Sequence, residues 1–297
     1  MSHNFNETNP FMDSIVNFFV EHEDMRTKSW FLSNNPGPLF TILATYLYFC
    51  LYAGPRYMRD RKPFELKTTM IVYNIFQVVL SYVLFHEGYH GGWGFGKHQY
   101  NYKCQPVTYG TDTTSMRMAR AVWLYYVAKI TELLDTVFFV LRKKDRQISF
   151  LHMYHHTLMP VCAFIGVKYF AGGHGTLLGF INSFIHIVMY AYYLLAAMGP
   201  RIQKYLWWKK YITVLQIVQF LIIFVHTIQL QFQPSCDFPK SIGALLTFNA
   251  GLFTYMFSSF YVKNYKKEQK IAAKKQLKLE EDTLDINGNT KAPIKVD

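Results

Sequence analysis

The chain lacks several features that would direct a reading elsewhere. It contains no Gly-x-Ser-x-Gly segment, so the nucleophile elbow of the serine hydrolases is excluded. Residues 1–35 hold no clean apolar core ahead of a small-residue site, and no cleavable signal peptide is expected from them. No internal repeat divides the 297 residues, which argues against a transporter built from two related halves. Cysteines number only four, and one Asn-x-Ser/Thr sequon is present, at Asn6. Acidic residues are scarce too, 19 against 31 lysines and arginines, which leaves a net charge of +12.

Apolar and aromatic surface is abundant instead. Hydrophobic residues make up 51% and aromatics 18%, more than a soluble domain of this size needs. Mean hydropathy is only +0.04 because long polar tails dilute the apolar runs. Those runs recur over 36–53, 68–85, 119–141, 149–170, 176–198, 211–232 and 241–262. At ~1.5 Å per helical residue, such lengths match a hydrocarbon core of ~30 Å. The expected fold is an all-α integral membrane protein with seven transmembrane helices in one domain, 36–262.

Charge sets the orientation. Segments 54–67, 142–147, 200–210 and 263–297 hold 22 of the 31 lysines and arginines, whereas the alternate segments 1–35, 86–118, 171–175 and 233–240 hold 6. The positive-inside rule then makes 1–35 lumenal and the basic tail 263–297 cytosolic. That tail is poor in aromatics and is expected to be disordered. Asn6 falls on the side where glycosylation takes place. With no soluble basic domain to carry it, nucleic acid binding is not expected. A basic cytosolic face would suit anionic lipid or a polyphosphate ligand. Cys50 and Cys162 fall within spans and read as small apolar core residues. Cys104 and Cys236 fall in two loops on the lumenal side, where an oxidising compartment invites a disulfide; the alternative is two free thiols.

Polar residues inside spans are costly and therefore candidates for function. Lys129, Glu132, Asp135 and Thr136 occupy the third span, and the three-residue spacing of Lys129 and Glu132 lets them neutralise each other. His152, His155 and His156 share one face at the start of the fourth. Asn182, His186, Met189 and Tyr193 form a stripe on the fifth, and Thr213, Gln216 and Gln219 on the sixth. Isolated Asn or Gln residues serve well enough as interhelical glue. Four histidines on two successive helices concentrate chemistry that works near neutral pH, and a shared interior cavity is expected.

Two chemistries compete for that cluster. A histidine-box di-iron desaturase or hydroxylase would use HMYHH as one box, with His86-Glu87-Gly88-Tyr89-His90 as an apparent second. The topology sets the two clusters most of a membrane thickness apart, and few carboxylates accompany them, so HEGYH is read as coincidence and no metal is expected. The alternative is covalent or acid–base chemistry on an acyl group, with imidazole as nucleophile or base. Cys162 is the weaker nucleophile, being nearly two turns deeper than His156.

Taken in order, KITELLDTVFFVLRKK, LHMYHH, NSFIHIVMYAYY and QKYLWWKKYITVLQIVQF resemble the fatty acid elongases, the membrane condensing enzymes of very-long-chain acyl synthesis in the endoplasmic reticulum. The resemblance runs from about residue 30 to 265. It implies seven spans, six of them enclosing a narrow acyl tunnel closed at the lumenal end. It further implies condensation of acyl-CoA with malonyl-CoA to give 3-oxoacyl-CoA, CO₂ and CoA, with no cofactor. Partners would be 3-oxoacyl-CoA reductase, 3-hydroxyacyl-CoA dehydratase and enoyl-CoA reductase, and a homodimer is compatible with it. Gln147 ahead of Leu151-His152, with Met153-Tyr154 inside the box, resembles the branch acting on long, very-long or polyunsaturated chains.

Two CoA heads would crowd one narrow mouth, so a ping-pong order through an acyl-histidine is expected. His155 is the expected nucleophile, with His152 and His156 fixing its tautomer or shuttling protons and Asp135 orienting one of them. Asn182 and His186 would polarise the carbonyl or stabilise the enolate. Lys129, Glu132, Gln216, Gln219 and Tyr193 are expected to line the substrate path, and Arg142, Lys204 and Lys209 to meet CoA phosphates at the cytosolic mouth.

Overall fold

The computed structural model describes residues 22–96 and 99–266. Asn6, the apolar patch from Phe11 to Val20 and the tail from residue 267 lie outside the described residues. Among the described residues the chain is all-helical, without strands. Helix α1 (Gly37–Met58) carries Pro38 in its first turn, where a missing N–H costs nothing, and passes through a π turn at Phe49–Ala53. Helix α2 (Lys67–Gly88) runs on through a second π turn to Trp93. Gly92 ends it at φ 149°, a conformation closed to other residues, with the Tyr100 ring lying where a Cβ would stand.

Helix α3 (Thr113–Thr131) starts six residues before the expected third span, because the Asp112 carboxylate accepts from the amides of Thr114 and Ser115 and caps it. That span is also divided. Helicity lapses at Glu132 and resumes as α4 (Leu133–Leu141). The Thr131 hydroxyl bonds back to the Ala128 carbonyl at 2.8 Å, and the Glu132 carboxylate turns inward. Helix α5 (Phe150–Tyr169) is capped by Ser149 and holds Pro160, which leaves the His156 carbonyl without its usual helical donor. Helices α6 (Thr176–Ala197), α7 (Lys209–Ile228) and α8 (Lys240–Tyr261) complete the set.

Among the described residues, four stretches are long and apolar enough to cross a membrane: Gly37–Met58, Lys67–Trp93, Thr176–Ala197 and Lys209–Phe232. The helices at the other three expected positions carry more polar residues. Arg117, Arg120 and Lys129 lie on α3, three histidines on α5, and Thr247, Asn249 and Thr254 on α8.

Helix α2 packs along α6, α3 along α5, and α7 along α8, and contacts of α2 with α3 and of α6 with α7 join these pairs. Helix α1 rests on the outside, with Leu39, Leu43, Tyr46 and Cys50 turned into the core. The basic loops gather at one end, where Lys143 Nζ donates to the Arg59 carbonyl at 3.0 Å and the Phe64 amide to the Leu141 carbonyl at 3.0 Å.

At the opposite end Cys104 and Cys236 are bridged as expected, with Cα atoms 5.7 Å apart. Residues 22–35 also lie there as an ordered strap. Arg26 pairs with Asp24 at 2.6 Å and donates to the carbonyls of Thr108 and Ala171 at 2.7 and 3.1 Å. Lys168 joins the strap to α5 through Glu23 at 2.6 Å and the Asn34 carbonyl at 2.7 Å. Burial alone would raise the Glu23 carboxyl, but hydrogen bonds and charge from Lys168 and Lys28 hold it below the usual carboxylate range.

Candidate functional site

The polar stripes converge where α3, α5, α6 and α7 meet. Lys129, at the last turn of α3, reaches both oxygens of Glu132 at 2.9 Å. The expected pairing is therefore present, and both residues are buried. The pair is embedded in a larger network. Lys129 Nζ also donates to Asn182 Oδ1 at 2.9 Å, and Tyr125 Oη donates to the same oxygen at 3.3 Å. With its oxygen doubly engaged, Asn182 presents its NH₂ group to Gln219 Oε1 at 3.4 Å and to the space beyond.

His186 Nδ1 lies 3.1 Å from Glu132 Oε1. A carboxylate only accepts, so Nδ1 carries the proton and Nε2 is left as the free position of a neutral ring. The rings of His186 and Tyr190 are 5.6 Å apart.

The box histidines divide by surroundings. His152 Nε2 lies 2.8 Å from Thr136 Oγ1, which in turn lies 2.8 Å from the hydroxyl of Tyr46 on α1. The ring of His156 follows 4.1 Å from that of His152 and 5.4 Å from that of His155. His155 faces Phe253 of α8 at 5.3 Å and opens onto a cavity of about 160 Å³. Asn182, Gln219 and Cys162 line the same cavity. The rest of its wall is almost wholly apolar, including Leu84, Val122, Phe220 and Ala250. One face of the cavity thus offers an imidazole and an oriented amide, and the remainder suits a hydrocarbon chain.

Other expected site residues lie apart from this centre. Asp135 meets none of the box histidines. Its carboxylate accepts from Tyr190 Oη at 2.7 Å, and Thr136, one residue on, is what reaches His152. Successive helical residues point ~100° apart, so residue 135 turns toward α6 while residue 136 turns toward α5. Gln216 donates to Met189 Sδ at 3.6 Å, while Tyr193 is 36% exposed and packs edge-on against Tyr190. Arg142 contacts Met70 Sδ at 2.9 Å; Lys204 and Lys209 are exposed in the loop between α6 and α7 and at its end. Both flank the end of the bundle where the basic loops gather.

The residues missed in the sequence are mostly tyrosines. Tyr46, Tyr125 and Tyr190 each place a hydroxyl on a polar partner, yet tyrosine in an apolar run reads as an ordinary core aromatic. The HEGYH segment closes α2 at the disulfide end. The His86 and His90 rings lie there 4.5 Å apart with planes tilted by 55°, and Glu87 lies 3.3 Å from His86 and 3.6 Å from Arg117. His174 and His226 were also missed. They stack at 3.6 Å, each Nε2 bonded to the other's carbonyl at 2.8 and 3.1 Å.

Comparison with known proteins bears on this arrangement. The model of the GNS1/SUR4 family matches residues 31–273. A very long chain fatty acid elongase of Aedes aegypti is 47% identical over 256 residues, 86% of this chain and 71% of its own length. The very long chain fatty acid elongase 7 of Drosophila melanogaster is 46% identical over 257 residues, covering 86% and 77%. That of Rattus norvegicus is 44% identical over 254 residues, covering 85% and 89%.

Proposed function

This chain belongs to the GNS1/SUR4 family of fatty acid elongases, and from that premise we propose that it catalyses the condensing step of elongation by a ping-pong route through an acyl-histidine at His155. The observation that carries the reading is that His155, Asn182 and Gln219 line one cavity whose remaining wall is almost wholly apolar. Family membership supports acyl-CoA and malonyl-CoA as substrates. The reaction is that of a very-long-chain 3-oxoacyl-CoA synthase.

In the first half-reaction the chain of acyl-CoA enters the cavity and a neutral His155 attacks the thioester carbonyl. A C–N bond forms, the C–S bond breaks, and the imidazole proton leaves with the thiolate as CoA. Asn182, aimed by Lys129 and Tyr125, donates to the oxyanion as charge develops. In the second half-reaction malonyl-CoA loses CO₂, and the electron pair of the broken C–C bond becomes an enolate that attacks the acyl carbon. The C–N bond to His155 breaks, and the departing nitrogen takes up one proton, relayed by His156 and His152. A proton taken up at Nε2 of His186, whose Nδ1 is held by Glu132, makes that ring a donor to the enolate oxygen. Arg142, Lys204 and Lys209 meet the CoA phosphates at the mouth.

The same reading supports seven spans, an endoplasmic reticulum location, a lumenal amino terminus and a cytosolic carboxyl terminus. The reductases and dehydratase of the cycle would take the product onward. The decisive experiment incubates purified protein with acyl-CoA alone. CoA release with an acyl mass increase on the peptide bearing His155 is expected. Acylation of Cys162, or CoA release only after malonyl-CoA is added, refutes the histidine route.

A further inference from the structure

Helix α1 rests on the outside of the bundle, yet it sends one hydroxyl to the histidine box. Tyr46 is buried, and its Oη lies 2.8 Å from Thr136 Oγ1 on α4, which lies 2.8 Å from His152 Nε2 on α5. The same hydroxyl meets Met153 Sδ at 3.6 Å. Thr136 is fully buried between Tyr46 and His152. Its hydroxyl carries one proton and can give it to only one of these two neighbours.

The chain can therefore run in two directions. Run inward, Tyr46 donates to Thr136 and Thr136 donates to a bare Nε2 of His152. The neutral ring then carries its proton on Nδ1, and neither nitrogen is free to accept another. Run outward, His152 Nε2–H donates to Thr136, Thr136 donates to Tyr46, and Tyr46 donates to the Met153 thioether, a weak acceptor. Nδ1 is then bare and free to take up a proton. The titratable groups about this chain are Cys50 on α1, Asp135 on α4, whose carboxylate is taken by Tyr190, and His156 on α5.

Proton balance gives the outward run a use. In the ping-pong route above, the imidazole proton of His155 leaves with CoA in the first half-reaction. In the second, the electron pair freed with CO₂ forms the new C–C bond, and the pair of the broken C–N bond stays on His155. That nitrogen needs one proton from solvent in every turnover. His152 is placed to collect it: the ring is partly exposed in the first turn of α5, with the His156 ring 4.1 Å away and that of His155 5.4 Å beyond.

We propose that Tyr46 is a positioning residue for this reaction: by accepting the Thr136 proton, it leaves His152 Nδ1 free to take a proton from solvent and pass it by way of His156 to His155. The inference rests on the ping-pong reading. Without the Tyr46 hydroxyl, Thr136 donates to His152 Nε2 and the ring stays in its closed form.

The test separates the half-reactions of purified wild type, Tyr46→Phe, Met153→Leu and Thr136→Ser. CoA release from acyl-CoA alone needs no proton from solvent and should stay within about twofold of wild type in all four. Condensation of the preformed acyl-enzyme with labelled malonyl-CoA should slow roughly tenfold in Tyr46→Phe, with KM for malonyl-CoA unchanged and a larger solvent deuterium isotope effect on this half alone. Thr136→Ser keeps a hydroxyl in the chain and should condense at close to the wild-type rate. Met153→Leu, which conserves volume, removes the last acceptor and should slow the same half by a smaller factor; it carries the test if Tyr46→Phe does not fold. Equal slowing of both halves, or wild-type rates in both, overturns the role given to Tyr46 and leaves the ping-pong reading standing. Failure of the wild-type protein to release CoA from acyl-CoA alone overturns the ping-pong reading, and this role with it.

Discussion

Replacing Glu132 by Gln should destabilise the protein far more than replacing Lys129 and Glu132 together. The two charges lie 2.9 Å apart and are 2% and 3% exposed. At an effective dielectric near 20 their attraction is ~6 kcal/mol. Desolvating two ions costs several kcal/mol each, so the intact pair contributes little net stability. Removing one partner is different, because it strands the other in the bundle core at a cost of ~3–5 kcal/mol. Glu132→Gln leaves the Lys129 ammonium with Asn182 and the Tyr125 ring, 4.7 Å away, as its neighbours. The expected loss corresponds to a fall in Tm on the order of 10 °C for a chain of this size. Adding Lys129→Met should restore most of it, to within ~1–2 kcal/mol of wild type. Thermal unfolding of the four proteins in one detergent completes a double-mutant cycle. Additive effects of the two single changes, or a loss below ~1 kcal/mol for Glu132→Gln, would show that the pair does not act as one buried unit.

Three further outcomes are expected. Thr136→Val, close to isosteric, strips His152 of its 2.8 Å partner and should lower kcat with little change in KM; a stranded polar atom in the core costs ~1–3 kcal/mol, and steady-state kinetics on folded protein check it. Glu23 has a folded pKa below its ordinary 4.5, so its contribution to the strap is complete above pH 4.5 and fades as pH falls through the lowered value. Hydrogen exchange across residues 22–35 should show that acid loosening, and Glu23→Gln should abolish its pH dependence. Changing both Cys104 and Cys236 to Ser should lower Tm, since loss of a bridge typically costs ~2–4 kcal/mol; an unchanged Tm in the same detergent would show that the bridge adds nothing to stability.

The positions of the helices were legible because apolar runs of membrane length leave few alternatives. The Lys129–Glu132 pair was legible because three-residue spacing puts both on one helical face. The third span is interrupted for one residue at Glu132, whose backbone stays in the helical region. Neighbouring residues of a helix point ~100° apart, so Asp135 meets Tyr190 while Thr136 meets His152, and which of the two faces the box depends on helix packing that spacing alone does not reveal. Hydroxyls of Tyr46 and Tyr125 carry no signal of their own, since a tyrosine's partner is set by packing between helices far apart in sequence. The strap at 22–35 has no periodicity to reveal it; its hydrogen bonds run to backbone carbonyls that any sequence would supply. The His174–His226 stack depends on two residues 52 positions apart meeting at a loop.

The bridge also imposes an order on biosynthesis. Its cysteines are 132 residues apart, and at ~5–20 residues per second the ribosome needs roughly 7–26 s to travel from one to the other. Helices α3 to α7 are all made in that interval. In the proposed orientation Cys104 waits in an oxidising compartment as an unpaired thiol until α7 has delivered its partner across the membrane. A chain halted before that point therefore displays a reactive sulfur that the finished protein hides, a chemical mark by which oxidoreductases can tell an incomplete molecule from a complete one.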